Sequence, residues 1–264
     1  MFYCHVNNEK KIFNVNGENM NLLTKRNAVA ILSASLLAQS AYAAIAIDRT
    51  RVIYNEGDKS VSVGLSNEHK TSPYLAQAWI ENDKDEKVNS PFIVTPPVHR
   101  LEADSKSQIK IQSVPAIAKL PKDQESVYYL NVREIPPRSE KANVLQIALQ
   151  TKIKLFYRPA AIATKERMET IPQENDIKLV KQGGGYIVKN PTPYFLSVTK
   201  FSKGKTEVAD FEPIMVPPRG EASLGKNTGD IGTSPTLVYL NDFGGTIDLK
   251  FNCSAVECSV VPRK

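Results

Sequence analysis

The sequence predicts an all-β fold: a β-sandwich followed by a second, shorter β-rich domain. Three observations carry that prediction. Runs of apolar residues alternate with polar ones at period 2, with turn residues between the runs. No stretch shows the 3.6-residue apolar period of an amphipathic helix. A secretory leader of 43 residues leaves 221 of the 264 residues, which suits two domains of about 110 residues each.

The leader comes first in the chain. Lys25-Arg26 precede the apolar run Asn27–Ala38, and Ala41-Tyr42-Ala43 supplies a small-x-small cleavage pattern. Cleavage is expected between Ala43 and Ala44. The apolar run is short for a bilayer span, which needs about 20 residues, so a membrane anchor is the weaker reading. Met20 stands at the usual distance from the basic pair. Residues 1–19 are polar and carry Cys4, so translation is expected to begin at Met20. A peptide from residues 1–19 in the precursor would overturn that.

The strands of the first domain follow in order. Ala44–Ile53 opens it. Val61, Val63 and Leu65 alternate before Asn67, and Pro73–Ile80 is the next run. Phe92–Thr95 is short and stops at Pro96-Pro97. Ile109 and Ile111 alternate, and Val127–Ile135 ends at Pro136-Pro137. The last run is the longest: Asn143–Tyr157, with Leu145, Ile147 and Leu149 on one side, continuing to Ile153 and Leu155. Roughly seven short strands with turns between them read as a sandwich. A strand this long exceeds the usual ~5–6 residues, and an apolar strand at an edge needs a cover, for which a partner chain is one candidate.

Arg158–Ala163 reads as a linker, because Pro159 cannot donate to a ladder. Candidate strands beyond it are Ile177–Val180, Tyr186–Lys189, Tyr194–Lys200, Phe211–Val216, Leu237–Leu240, Thr246–Cys253 and Ser259–Val261. Gly183–Gly185 lacks the spacing and the following helix of a phosphate loop, so it reads as a β-turn. Pro217-Pro-Arg-Gly220 marks another turn.

Charge and cysteines narrow the function. Without the four basic and two acidic residues of the leader, thirty basic and twenty-six acidic residues leave a net charge of +4, too dispersed to argue for nucleic acid. Only Cys253 and Cys258 remain, with four residues between them. The oxidising compartment that a secretory signal implies favours a disulfide between them, and the spacing differs from a CxxC redox site. Neither His69 nor His99 stands in ligand spacing with them, so no metal site is expected. No G-x-S-x-G elbow, H-E-x-x-H or nucleotide motif occurs. No catalytic residues and no cofactor are expected, and any work must draw on binding or folding energy.

The basic residues near the long strand remain. Lys152 and Lys154 share one face if that strand is regular, and Arg49 and Arg51 share a face near the mature N-terminus. One Arg and one Lys brought together make a carboxylate site, a planar fork beside a point charge. Ordinary solvated surface charge is the competing reading.

The blocks Ala44–Arg51, Pro73–Asn82, Thr95–Glu102, Tyr129–Lys141 and Asn143–Ala161 resemble the periplasmic pilus-assembly chaperones of the PapD type. Gly184–Tyr194, Asn241-Asp-Phe-Gly-Gly245 and the Cys253/Cys258 pair extend the resemblance, so it spans residues 44–264. It implies two immunoglobulin-like β-sandwich domains arranged as a boomerang with a cleft between them. The expected division is residues 44–158, a linker at 159–163, and residues 164–264. It also implies an ATP-independent chaperone that caps pilus subunits by lending them a strand and delivers them to an outer-membrane usher.

Site residues follow from the same resemblance. Arg51 and Lys154 would anchor the C-terminal carboxylate of a subunit. Leu145, Ile147 and Leu149 would insert into the subunit's open core. Glu125, Arg158 and Asp242 would form an acid–base–acid network between the domains. Strict alternation sets Lys154 opposite the three apolar residues, so a bulge, twist or bend is expected between the two roles. The short segment Pro136–Ala142 and the absence of cysteine from the first domain resemble the subclass with a short loop before the donated strand, which serves rod-like adhesive pili. Expected partners are pilus subunits, among them a tip adhesin, and the usher; self-capping of the free strand by a second copy stays open. Competing readings are a secreted two-domain adhesion or interaction module, a pilus subunit itself, and a secreted enzyme. A subunit would carry one domain and a free N-terminal donor segment, and an enzyme would need a catalytic constellation.

Overall fold

The structure is a computed structural model that describes residues 44–140, 143–164, 166–182, 184–225 and 231–263. The leader expected at 1–43 and the start expected at Met20 lie outside the described residues.

Ten strands build the first sandwich: β1 (Ile45–Ile47), β2 (Arg51–Asn55), β3 (Val61–Asn67), β4 (Tyr74–Glu81), β5 (Lys87–Val88), β6 (Phe92–Thr95), β7 (Val98–Leu101), β8 (Lys106–Ser113), β9 (Ser126–Ile135) and β10 (Gln150–Arg158). One sheet runs β1-β3-β8-β6. The other runs β2-β10-β9-β4-β5, with β7 also on β4. The alternation read from the sequence is what fills the space between them. Val63 and Leu65, Ala76, Ala78 and Ile80, Ile109 and Ile111, and Ile153 and Leu155 all pack into one buried cluster around Tyr54, Phe92 and Tyr157.

Two expectations need correction. The run Ala44–Ile53 is not one strand. It breaks at residues 48–50 and changes sheet: β1 pairs antiparallel with β3, whereas β2 pairs parallel with β10. The cause is local. Asp48 takes two hydrogen bonds from the Arg49 guanidinium, at 2.7 and 2.8 Å, and its own amide donates to the Gly64 carbonyl. The Asp48 side chain then lies over Gly64, where a Cβ would sit 2.7 Å from Oδ2, so that close approach requires glycine. Arg49 therefore folds back on Asp48 and does not share a strand with Arg51.

The long strand also begins later than expected, at Gln150 and not Asn143. β9 ends at Ile135, and Pro136-Pro137 follow with no N–H to offer a neighbour. Residues 144–149 are exposed and carry no strand; the Leu149 carbonyl accepts from Glu134 N–H at 3.0 Å, and Gln146 Nε2 donates to the Pro137 carbonyl at 2.6 Å. The sequence reading also missed β5, β7 and a 3-10 turn at Pro115–Lys119, all too short to show a period.

The second sandwich contains β11 (Lys178–Gln182), β12 (Gly185–Asn190), β13 (Leu196–Lys203), β14 (Thr206–Glu207), β15 (Ile214–Val216), β16 (Gly220–Ser223), β17 (Thr236–Leu240), β18 (Thr246–Cys253) and β19 (Glu257–Val260), with a 3-10 turn at Glu174–Asp176. Strand β18 serves both layers. Thr246–Lys250 pair with β17, and Phe251–Cys253 pair with β19. Leu179, Val188, Leu196, Phe201, Leu237, Tyr239, Leu249 and Phe251 fill its core. The β11–β12 hairpin closes at Gln182 opposite Gly185, and Gly184 takes φ +83° in the turn, while Gly183 lies outside the described residues.

Cys253 and Cys258 are opposite residues of the β18–β19 hairpin and form a disulfide. A loop this short gains only about 2 kcal/mol by the chain-entropy estimate. Reduction should therefore lower the urea-unfolding free energy by about that amount without abolishing the fold. An unchanged midpoint in reductant would mean that the strand ladder alone holds the hairpin.

Candidate functional site at the junction of the two sandwiches

Strand β10 has two working faces. Ile153, Leu155 and Tyr157 point into the first core. Lys154, Phe156 and Arg158 point the other way, onto the second sandwich: the Phe156 ring lies 5.7 Å from Phe195. The pairing with β9 runs from Gln150 opposite Arg133 to Tyr157 opposite Ser126 with no shift, and the Glu134–Leu149 bond continues that register. No bulge interrupts β10 between Gln150 and Tyr157, so of the expected bulge, twist or bend the first is not seen over those residues. Leu145, Ile147 and Leu149 extend the core-facing set past the point where the core ends, and they are 84%, 64% and 40% exposed.

Parallel pairing of β2 with β10 sets Arg51 directly opposite Lys154. Arg51 is only 7% exposed. Its Nη1 donates to the Leu240 carbonyl at 3.0 Å, and its guanidinium lies 5.7 Å from the Phe156 ring centre. The buried Nε has no hydrogen-bond partner among the described residues. Lys154 Nζ donates to Ser197 Oγ at 3.3 Å. Burial pulls the Arg51 pKa down, with Asp242 and Glu125 pulling the other way. Burial and then the neighbouring Arg51 pull Lys154 down. Two cations side by side, neither bonded to a carboxylate among the described residues, form a site that an anion would relieve.

Below them lies a buried ionic triad. Arg158, 2% exposed, donates Nε and Nη2 to Glu125 Oε1 at 2.9 and 2.7 Å. It donates Nη1 and Nη2 to Asp242 Oδ2 and Oδ1 at 2.8 and 3.0 Å. Each carboxylate is further satisfied by a backbone N–H: Phe195 to Glu125 and Met168 to Asp242, both at 2.8 Å. Burial works against the Arg158 charge, but the bonds and charges of Asp242 and Glu125 outweigh it and hold its pKa above the ordinary guanidinium value. Glu125 precedes β9, Arg158 ends β10 and Asp242 follows β17, so the triad ties the two sandwiches together.

Several contributors had no sequence signal. The Leu240 carbonyl and the Ser197 hydroxyl come from the second sandwich. Glu56 clamps the linker, accepting from Ala160 N–H at 2.9 Å and from Lys122 Nζ at 2.8 Å. Phe156 was legible, since it alternates with Lys154 and Arg158. Lys152, one residue pair away, is engaged elsewhere by Glu81 and Asp85. His99 bonds Ser107 Oγ at 2.6 Å between β7 and β8, with no hydrogen-bonded carboxylate among the described residues. Among the described residues no group of three His, Cys, Asp or Glu is arranged to hold a metal, and no helix is long and apolar enough to cross a membrane.

Fold and junction together define a class: paired β-sandwiches locked by a buried acid–base–acid triad, with a basic pair beside an uncovered apolar segment. The chain belongs to the PapD family of pilus-assembly chaperones, which is not an enzyme class. The family model for the N-terminal domain of PapD pili and flagellar-assembly chaperones matches residues 44–163, and that for the C-terminal domain of the pili assembly chaperone PapD matches 172–251. The chain is 50% identical to the chaperone protein PapD of Escherichia coli over 225 residues, 84% of this chain and 92% of that protein. It is 45% identical to the probable fimbrial chaperone YfcS of Escherichia coli K12, covering 87% and 90%. Among solved structures it resembles the periplasmic chaperone SfaE (TM-score 0.63, 32% identity, 78% of this chain and 98% of that one). It also resembles a Salmonella enterica structure of the SafA pilin in complex with the SafB chaperone (TM-score 0.69, 26% identity, 81% and 99%).

Proposed function

We propose that this chain captures pilus subunits in the periplasm by lending them residues 145–149 as a strand. One observation carries the reading: the uncovered apolar residues Leu145, Ile147 and Leu149 run in register into a strand whose opposite face holds the Arg51–Lys154 pair, neither bonded to a carboxylate among the described residues. A subunit lacking its last strand exposes apolar core and unpaired backbone. Strand addition supplies the backbone hydrogen bonds, and alternate pockets take the three side chains. Burying them fully yields roughly 5–8 kcal/mol gross, before ordering costs. The subunit's terminal carboxylate sits between Arg51 and Lys154 and sets the register, while Glu125, Arg158 and Asp242 fix the angle at which the sandwiches meet.

The domain division at 44–158, 159–163 and 164–264 belongs to this proposal, supported by the separate cores on either side of the linker. So do delivery to an outer-membrane usher, service to a tip adhesin, and operation without ATP or catalysis. The SafB chaperone bound to the SafA pilin is a solved relative in the same relation.

The test is an extended synthetic peptide with apolar residues at alternate positions, titrated with a free or an amidated C-terminus. The free carboxylate should bind about tenfold tighter or more, since charge-assisted bonds contribute about 1.5–3 kcal/mol. Arg51→Ala should erase that difference. Equal affinity for both peptides in the unaltered protein rejects the anchor.

A further inference from the structure

We infer that the second sandwich positions the Arg51–Lys154 pair, and that the turn carrying Gly244 is the part that sets Arg51. This rests on the proposed role of the pair as a carboxylate anchor. Both cations belong to the first sandwich, yet each donates a hydrogen bond to the second: Arg51 to the Leu240 carbonyl and Lys154 to Ser197 Oγ. A guanidinium bonded to one carbonyl, set 5.7 Å from the Phe156 ring centre and buried has few orientations left, so its remaining donors are largely directed before any ligand arrives.

The Leu240 carbonyl is held in turn by the loop that follows β17. Asn241 N–H donates to the Gly245 carbonyl and Gly244 N–H to the Asn241 carbonyl, closing a tight turn, and Asn241 Oδ1 accepts from Phe243 and Gly245 N–H. The turn also carries Asp242 of the triad. Its tip rests on the first sandwich beside the anchor. A Cβ built on Gly244 would come within 2.3 Å of Thr50 Oγ1, and Thr50 is the residue before Arg51. Gly244 also takes φ +81°, which disfavours other residues on its own account. Glycine is thus favoured twice, once by the backbone and once by the close approach of Thr50. A side chain there meets the Thr50 hydroxyl, and on this inference it is the turn that yields, lifting off the first sandwich and carrying the Leu240 carbonyl away from Arg51.

The experiment uses the full chain and the same peptide pair. Asn is the substitution best able to hold a left-handed turn, so Gly244→Asn tests the contact with the least backbone penalty. It should lower affinity for the free-carboxylate peptide by about tenfold, the loss of one charge-assisted bond, and leave affinity for the amidated peptide unchanged. Adding Thr50→Ala removes the clashing oxygen and should restore most of the lost affinity. Ser197→Ala adds no atoms, keeps the test open if Gly244→Asn folds poorly, and should likewise weaken the free-carboxylate peptide alone.

The inference is overturned if both variants bind the free-carboxylate peptide as the unaltered protein does. It is also overturned if both peptides weaken together, or if Thr50→Ala restores nothing in a folded Gly244→Asn chain. Failure of the anchor itself reads differently: the unaltered protein would then not distinguish the two peptides at all.

Discussion

Arg158→Ala should destabilise the protein by about 3–5 kcal/mol, the cost of removing the cation from a buried ion triad. The side chain lost is 2% exposed and makes four hydrogen bonds to two carboxylates. The variant leaves Glu125 and Asp242 buried, each accepting from one backbone N–H among the described residues. Arg158→Lys should recover little, because one ammonium cannot match a fork that serves two carboxylates from opposite sides.

The variant should also acquire a pH dependence of a particular sign. Burial pushes the Glu125 carboxyl up, and Arg158 is its main counterweight. That pKa already stands above the ordinary carboxylate value with Arg158 in place, and removing the cation raises it further. Stability from such a group is present below the unfolded pKa and lost as pH rises through the folded one. Arg158→Ala should therefore gain more stability than the unaltered protein does as pH falls from 7 toward 5. Urea unfolding at both pH values checks this. An unaltered midpoint at pH 7, or no recovery in acid, would mean that water reaches the junction and solvates the carboxylates.

What the sequence made legible follows the physics of each part. Strand alternation identified β3, β4, β8, β9 and the core half of β10, because burial on one face imposes a strict period of two. The resemblance located Arg51, Lys154 and the triad residues, and the structure brings Arg51 opposite Lys154 and bonds Arg158 to both acids. The start of β10 was misread. Alternation in residues 143–149 is as regular as in 150–157, but a period records which face wants burial, not whether a neighbour strand exists to pair with. Here the neighbour ends at Ile135, and two prolines follow. The break between β1 and β2 was hidden for a related reason: Asp48 and Gly64 are remote in sequence, and their contact appears only once the sheet has formed. The Leu240 carbonyl could not have been found, since every residue has one.

Ile147→Glu should leave the free protein's stability within about 0.5 kcal/mol of the original and yet abolish subunit capture. The side chain is 64% exposed, so no core is disturbed. In the proposed complex it fills an apolar pocket. The variant forfeits about 1.5–3 kcal/mol of burial and sets a carboxylate in that pocket at a further cost of several kcal/mol. A loss of at least about a hundredfold in affinity follows from those two terms together. Ile147→Val should cost only about 0.5–1.5 kcal/mol, which separates a lost pocket from a disturbed segment. Ala148→Glu supplies the decisive contrast. Its neighbour points the opposite way in any paired strand, so a charge there should be tolerated although both positions are exposed in the free chain. Co-purification of subunit with each variant, read beside urea unfolding of the free proteins, makes the measurement. Normal capture by Ile147→Glu would remove the donated strand from the mechanism. Equal loss at 147 and 148 would mean that the segment binds without the alternating geometry of a strand.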